Sequence, residues 1–344
     1  MAKTVFLGMS GGIDSSVSAI LLQEQGYRVV GVYMKNWSRD LPGMQCPWAE
    51  DLADAKRVAV KLGLDFRIFD FEAEYKQKVV DYMLAEFRQG RTPNPDIMCN
   101  QEIKFKLFYQ LAREQGADLI ATGHYARVDG QKLLCAIDDN KDQTYFLYRI
   151  SKEAVSYTLF PVGHLKKSAV REIAVAHQLD NATKKESMGV CFVGDVGIKD
   201  FLKTYLPVQP GPVLDADTGK TLGFHDGAIF YTIGQRHGLN LGGGLPYYVV
   251  AKDISKNTIS VSKNLQHQSL WTTQLKLTDL FFRQAITPDL PLFVRLRHRA
   301  PLIPAAYDVV SQSLEFTHPV KRPAAGQSAV FYQQQICLGG GIIL

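Results

Sequence analysis

A short apolar run at residues 5–7 opens the chain and gives way to a turn of small residues. From Val17 the apolar positions recur at helical spacing as far as Leu22, and the pattern stops near Gly26. The same alternation repeats. A strand is expected at 28–35, a polar loop at 36–47, a helix at 51–62 closed by Gly63, and a strand at 65–70. A longer helix, 72–88, ends before Gly90. Residues 91–100 form a proline-broken loop, a further helix reaches Gln115, and a strand at 117–121 runs into Thr122-Gly123-His124. Strands between helices of this length predict a mostly parallel sheet covered on both faces. Ligands bind such sheets off the carboxyl ends of the strands, which puts residues 10–15, 34–36 and 123–124 on one rim.

Residues 125–137 read as a hairpin turning at Asp129-Gly130, and Lys141 to Gln143 opens a short helical piece. An amphipathic helix covers 165–179. A loop at 181–188 leads to an apolar strand at 189–193, and a helix at 195–205 closes this part. The pattern then changes. Pro207, Pro210, Gly211 and Pro212 interrupt the chain, and short strands between turns replace helical periodicity. Near residue 272 another β-rich stretch begins. Residues 292–299 alternate, with Leu292, Val294 and Leu296 on one face and Arg295, Arg297 and Arg299 on the other. Strands at 307–311, 314–317, 328–333 and 336–338 complete a small barrel. The fold class is therefore α/β: a parallel-sheet domain at 1–205, a small β-rich domain at 206–271, and a β-barrel at 272–344. A chain of 344 residues is long for one core, in keeping with several domains.

Charge adds little: 39 basic and 34 acidic residues leave a net charge of +5, compatible with a polyanion partner without arguing for one. No stretch approaches the roughly 20 apolar residues of a membrane span. The first strand starts almost at once, leaving no room for a targeting peptide, so a cytoplasmic location without membrane attachment is expected. The cysteines are Cys46, Cys99, Cys135, Cys191 and Cys337. Their odd number and the lack of any CxxC argue against a disulfide framework and a four-cysteine zinc site.

The first turn carries the clearest chemistry. It reads Gly8-Met9-Ser10-Gly11-Gly12-Ile13-Asp14-Ser15, between a strand and a helix. Small residues let backbone N–H groups approach an anion, and the helix N-terminus adds partial positive charge. A phosphate or pyrophosphate is the expected ligand, although the order is neither a Walker A loop nor a dinucleotide fingerprint. Cys99 follows Asn94-Pro95-Asp96, and a helix is expected immediately after it. A thiol there has a lowered pKa, Lys104 and Lys106 lie within two turns, and Asp96 can exchange a proton. Cys191 lies between Val190 and Phe192, a setting that by itself favours core packing. Its flanking glycines and the upstream Lys184 and Lys185 weaken that reading. Cys135 and Cys337 read as strand packing, and Cys46 stays unassigned.

Ser10 to Ser15 resembles the pyrophosphate loop of ATP pyrophosphatases. Met34-Lys35-Asn36-Trp37, residues 91–96 with Cys99-Asn100, Thr122-Gly123-His124-Tyr125, residues 141–147 and Gly189-Val190-Cys191-Phe192 follow in order. So do Tyr231 to Arg236 and the closing Gly326 to Tyr332. Together they resemble the tRNA-specific 2-thiouridylase (MnmA) family, over nearly the whole chain. That resemblance implies a nucleotide-hydrolase-like first domain and synthesis of 2-thiouridine at the wobble position of tRNA. ATP would sit on Gly8 to Ser15, with the adenine near Met34 and Gly123. Magnesium would neutralise the phosphates, assisted by Asp14, and no other metal set is expected. Cys191 would carry a persulfide, Cys99 would be its partner nucleophile, and Asp96 the general acid/base. Asn94, Pro95 and Asp96 would touch the target base. His124, Lys141, Asp142, Gln143, Arg297, His298 and Gln327 match family positions near tRNA, although the family often has an aromatic where His298 stands. The anticodon stem-loop would be the docked part, and a cysteine desulfurase or sulfur-relay carrier the sulfur donor. A monomer is favoured. Three other readings remain: an ATP pyrophosphatase for a small carboxylate or amide, an iron–sulfur sulfurtransferase using Cys99, Cys191 and a third ligand, and a non-enzymatic RNA-binding module.

Overall fold

The computed structural model describes residues 2–40, 46–184, 197–239, 241–242 and 244–344. The first sheet contains β1 (Thr4–Gly8), β2 (Arg28–Lys35), β3 (Asp65–Asp70) and β4 (Leu119–Thr122). A hairpin follows, β5 (Arg127–Asp129) and β6 (Lys132–Leu134), and then β7 (Thr158–Leu159). The sheet order is β3-β2-β1-β4-β7 with every neighbour parallel. Alternate side chains enter two separate cores. Phe6, Val30, Val32, Phe69 and Ile120 fill one; Val5, Leu7, Val29, Tyr33 and Ala121 fill the other. Burial on both faces is why these strands read as unbroken apolar runs.

The edge strand β7 is two residues long, too short to leave a periodic signal. The strand expected at 189–193 lies outside the described residues. The helix expected at 72–88 is interrupted by a π-turn at Lys76–Val80. A second π-stretch spans Cys99–Leu107, and here the expectation is corrected. The helical run begins at Pro95, not after Cys99. Asn94 caps it, its side chain accepting from the Asp96 N–H at 3.1 Å, and Pro95 supplies the preset φ of a first helical residue. Asn-Pro was a helix start hidden in what read as a loop.

The second sheet orders β8 (Gly211–Asp215), β9 (Thr221–His225), β10 (Tyr248–Asp253) and β11 (Thr258–Ser262) as β10-β11-β8-β9. The third begins with the long β12 (Trp271–Phe282), followed by β13 (Phe293–Arg295), β14 (Ile303–Pro304) and β15 (Ala306–Asp308). β16 (Ser313–Lys321), β17 (Ser328–Gln333) and β18 (Ile336–Ile343) complete it. Its order is β14-β13-β17-β18-β12-β16-β15. Only Ala305 separates the two edge strands, so the sheet curls to bring its ends together around Leu277, Val294, Leu314 and Phe331. The strand expected over 292–299 is only three residues long. The chain leaves the sheet before Arg297 and turns at Arg299, whose φ is +60°.

The barrel and the first domain are stitched together. β6 adds to the barrel, pairing Leu133 with Cys337 and Leu134 with Ile336. The buried Asp142 carboxylate meets the Arg295 guanidinium at 2.6 Å.

Candidate active site

Met9 N–H donates to the Val32 carbonyl at 2.8 Å, extending β1 into the turn. Gly11 has φ +74°, and a Cβ there would lie 2.7 Å from the Asp51 carbonyl oxygen. Gly123, at the end of β4, is held as tightly: a Cβ would lie 2.7 Å from the Ser15 nitrogen. A side chain at either position would push the loop out of place. The Met34 methyl lies 2.8 Å from where a Gly8 Cβ would be, so Gly8, Met34 and Gly123 converge on one rim. Side chains fix the rest. Ser15 and Ser16 hydroxyls both donate to the Gly12 carbonyl at 3.0 Å. The buried Asn181 amide donates to the Gly11 carbonyl at 2.8 Å and to Ser16 Oγ at 2.9 Å. Ile13–Glu24 is a twelve-residue helix whose N-terminus this loop forms. That combination suits an anion.

Asp14 lies in the first turn of that helix. One oxygen, Oδ1, accepts from Tyr125 Oη at 2.8 Å and from Lys167 Nζ at 2.6 Å. Sequence reasoning missed Lys167. One signal was available: Lys166 and Lys167 begin a helix, where cations oppose the dipole, so a lysine there points to a tertiary partner. Lys184 joins Asp51 and Asp54, at 3.1 and 2.5 Å, beside the Gly11 backbone.

Cys99 occupies the fifth helical position after Asn94 and is buried in the main core. It therefore sits beyond the first turn, where the dipole argument is strongest. Asp96 is pushed above its ordinary carboxylate range by burial, with Lys104 opposing the shift. Lys104 Nζ lies 3.4 Å from His124 Nε2 and Thr122 Oγ1 lies 2.8 Å from Nδ1. An ammonium only donates, so Nε2 accepts and the Nδ1 proton goes to Thr122. Burial, and then Lys104, hold His124 well below the usual imidazole range, so the ring is neutral near pH 7.

The two loops are connected. Tyr125, which donates to Asp14, also accepts from the Gln143 N–H at its carbonyl at 2.9 Å, and Gln143 Oε1 accepts from the Tyr125 N–H at 2.8 Å. The helix Thr144–Leu147 follows directly. Its Phe146 carbonyl accepts from Asn100 Nδ2 at 3.1 Å, next to Cys99. The His298 ring packs on Phe146 with centroids 4.4 Å apart. Burial lowers the His298 pKa to about 4. Asn36, Asn100 and Asn181 each keep a buried amide oxygen without a partner among the described residues.

The residues expected to meet RNA separate into groups. Arg297 is exposed, and Lys141 is half-buried. Asp142 is engaged otherwise: besides Arg295 it accepts from Thr144 Oγ1 and the Ala136 N–H. Its carboxylate belongs to the domain junction, and Arg295 does not share an outward face with Arg297. Gln327 Nε2 donates to the Thr92 carbonyl at 2.6 Å, reaching the segment that leads to Cys99 from the barrel. Cys191 lies outside the described residues. Among those described, no cluster of three His, Cys, Asp or Glu side chains could hold a metal, and no helix is long and apolar enough to cross a membrane.

Residues 3–195 match the family model described as tRNA methyl transferase HUP domain. Residues 199–263 match the tRNA methyl transferase PRC-barrel domain, and 272–343 the aminomethyltransferase beta-barrel domain. The tRNA-specific 2-thiouridylase MnmA of Photorhabdus laumondii is 47% identical, over 99% of this chain and 97% of its own length. That of Yersinia pestis strain Pestoides F is 48% identical, over 99% and 96%. The chain belongs to the MnmA family. Among solved structures, a 4-thiouridine synthetase–RNA complex with bound ATP is 20% identical, with a TM-score of 0.38, over 54% of this chain and 43% of that one. In this MnmA-family chain, then, the parallel sheet carries the nucleotide-type loop, and the two β sheets close on the segment leading to Cys99.

Proposed function

We propose that this chain is an ATP-dependent tRNA-uridine 2-sulfurtransferase that makes 2-thiouridine at the wobble position. ATP sits on Gly8 to Ser15, with its adenine towards Met34 and Gly123. The uracil O2 attacks the α-phosphorus, an O–P bond forms, and pyrophosphate leaves. The activated oxygen then departs as AMP when sulfur bonds to C2. Adenylation is needed because a bare amide-like oxygen is a poor leaving group. The sulfur comes as a persulfide on Cys191. Either its terminal sulfur attacks C2, or Cys99 first frees it as sulfide. On both routes Cys99 ends bonded to Cys191, and an external thiol reductant restores the pair. A cysteine desulfurase or relay protein reloads the persulfide. Asp96, with its raised pKa, holds or releases the proton that the transfer requires.

Magnesium fits one feature of the loop. Asp14 keeps a second carboxylate oxygen beyond the one bonded by Tyr125 and Lys167, and magnesium commonly uses a single protein carboxylate besides phosphates and water. When bound it would neutralise phosphate charge. For tRNA, Asn94, Pro95 and Asp96 face the target base, and Lys141, Gln143, His124, Arg297, His298 and Gln327 lie towards the anticodon stem-loop. Phosphate contacts would position the RNA and an unstacked base would be read directly. A tRNA substrate suits a cytoplasmic location.

The observation that supports this reading best is the bonded path from Asp14 through Tyr125 and Gln143 to Phe146 and Asn100. It ties an anion-binding loop to the neighbour of a buried cysteine. Cys191→Ser tests the reading: loss of thiolated tRNA is expected, and unchanged turnover would favour a small-molecule pyrophosphatase. Iron in anaerobically purified protein would favour the cluster alternative.

A further inference from the structure

The motif from Tyr231 to Arg236 has no part in the chemistry above, yet it reaches the catalytic loop. Three polar groups of Thr92 are each engaged by a loop of one of the two β-rich units. Its N–H donates to the Ala325 carbonyl at 2.8 Å, and its carbonyl accepts from Gln327 Nε2 at 2.6 Å. Its hydroxyl lies 3.0 Å from the Thr232 hydroxyl, on the central β-rich unit. Two glycines let these backbones close in. Gly90, with φ +75°, has Ile254 of the central unit 2.6 Å from where a Cβ would sit. Gly326 of the barrel, with φ +91°, would place a Cβ 2.9 Å from the Thr92 nitrogen. The central arm is braced in turn. Lys252 Nζ donates to the Tyr231 carbonyl at 2.8 Å, and Lys199 and Tyr231 meet the Asp226 carboxylate.

We infer that Thr232 is a positioning residue for the proposed reaction: through Thr92 the central unit fixes the segment that carries Asn94, Asp96 and Cys99. Thr92 is two residues before the helix cap and seven before Cys99. Without the Thr232 bond, the polar groups of Thr92 are held by the barrel alone. The inference rests on the proposed function for its kinetic arm, but not for its structural one.

Thr232→Val removes the hydroxyl and keeps the shape; Thr232→Ser keeps the hydroxyl. For Thr232→Val we expect kcat for tRNA thiolation to fall about tenfold while the KM for ATP stays within about twofold, since small misplacements of reacting groups slow chemistry steeply. Thr232→Ser should recover most of that rate. Thr92→Val should match Thr232→Val, and the double variant should lose no more than either single one, because both remove the same contact. Hydrogen exchange of a peptide covering residues 91–98 should speed up in Thr232→Val and not in Thr232→Ser. Unchanged exchange in Thr232→Val would overturn the inference, as would additive losses in the double variant or an equal rise in the KM for ATP. If the wild type neither thiolates tRNA nor releases pyrophosphate, the functional reading fails, and exchange alone decides the positioning role.

Discussion

The pyrophosphate-type loop is shaped by one sheet and the elements beside it, whereas the segment carrying Asp96 and Cys99 is also held from both β-rich units. Around Ser10 to Ser15, the constraints come from Gly123, Met34, Asp51 and Asn181, all within the first 184 residues. Around Thr92 they come from Thr232, Ala325 and Gln327. The difference suits the two tasks. Activating an oxygen with ATP is shared by many proteins and needs only a local anion site. Delivering sulfur to one base of a folded RNA requires that the reactive segment respond to where the RNA is held. A loop bonded to both β units can do so.

The comparison can be broken at several points. The largest effect is expected from Cys99→Ser, which should reduce tRNA thiolation by about 10⁴-fold or more, as for loss of a nucleophile. Pyrophosphate release with tRNA and ATP should persist, because the first loop is intact. Product analysis beside a pyrophosphate assay checks this, and parallel loss of both would show that the halves are not separable.

Arg295→Met acts at the junction. It leaves Asp142 buried with its ion-pair partner gone, and the two side chains are 1% and 12% exposed. Breaking a buried pair from one side costs about 3–5 kcal/mol. Chemical denaturation should show that loss; less than about 1 kcal/mol would mean that Thr144 and Ala136 satisfy Asp142 unaided.

Gly123→Ala strikes the other half. Its Cβ would press on the Ser15 nitrogen, and the expected result is an ATP Kd raised about 100-fold with tRNA affinity retained. Equilibrium dialysis with each ligand separates the two.

The smallest effect concerns pH. The unfolded chain protonates His298 below about pH 6.5, the folded one only near 4. Since the unfolded state binds more protons in that window, stability falls as pH drops through it. His298→Phe should lose on the order of 1 kcal/mol less than wild type between pH 6.5 and 4, allowing for solvent screening of a half-buried ring. Identical profiles would place the acid sensitivity elsewhere, His124 first.

What the sequence disclosed follows the same division. Unbroken apolar runs announced the doubly covered sheet, and the rim rule placed residues 10–15, 34–36 and 123–124 together, because these depend on nearest neighbours along each element. Lys167 was missed because its partner, Asp14, lies 153 residues away. The alternation at 292–299 marked Arg295 as outward, since a period of two reports the face of a strand and not what covers it. In this chain the covering element is the loop containing Asp142. Gln327 and Thr232 were visible as motif members, but their hold on Thr92 arises from three units packing together. The helix starting at Pro95 was legible and overlooked: Asn94 followed by Pro95 is a capping pair, and the prolines alone had suggested a loop.

The central claim is that one chain both activates a tRNA oxygen with ATP and replaces it with sulfur. Mass analysis of tRNA after incubation with the enzyme, ATP, magnesium and a sulfide source tests it most directly. The account predicts that the fragment containing the wobble uridine gains the mass of one oxygen-to-sulfur exchange, only when ATP is present, with pyrophosphate released alongside. Pyrophosphate release with tRNA of unchanged mass would contradict it.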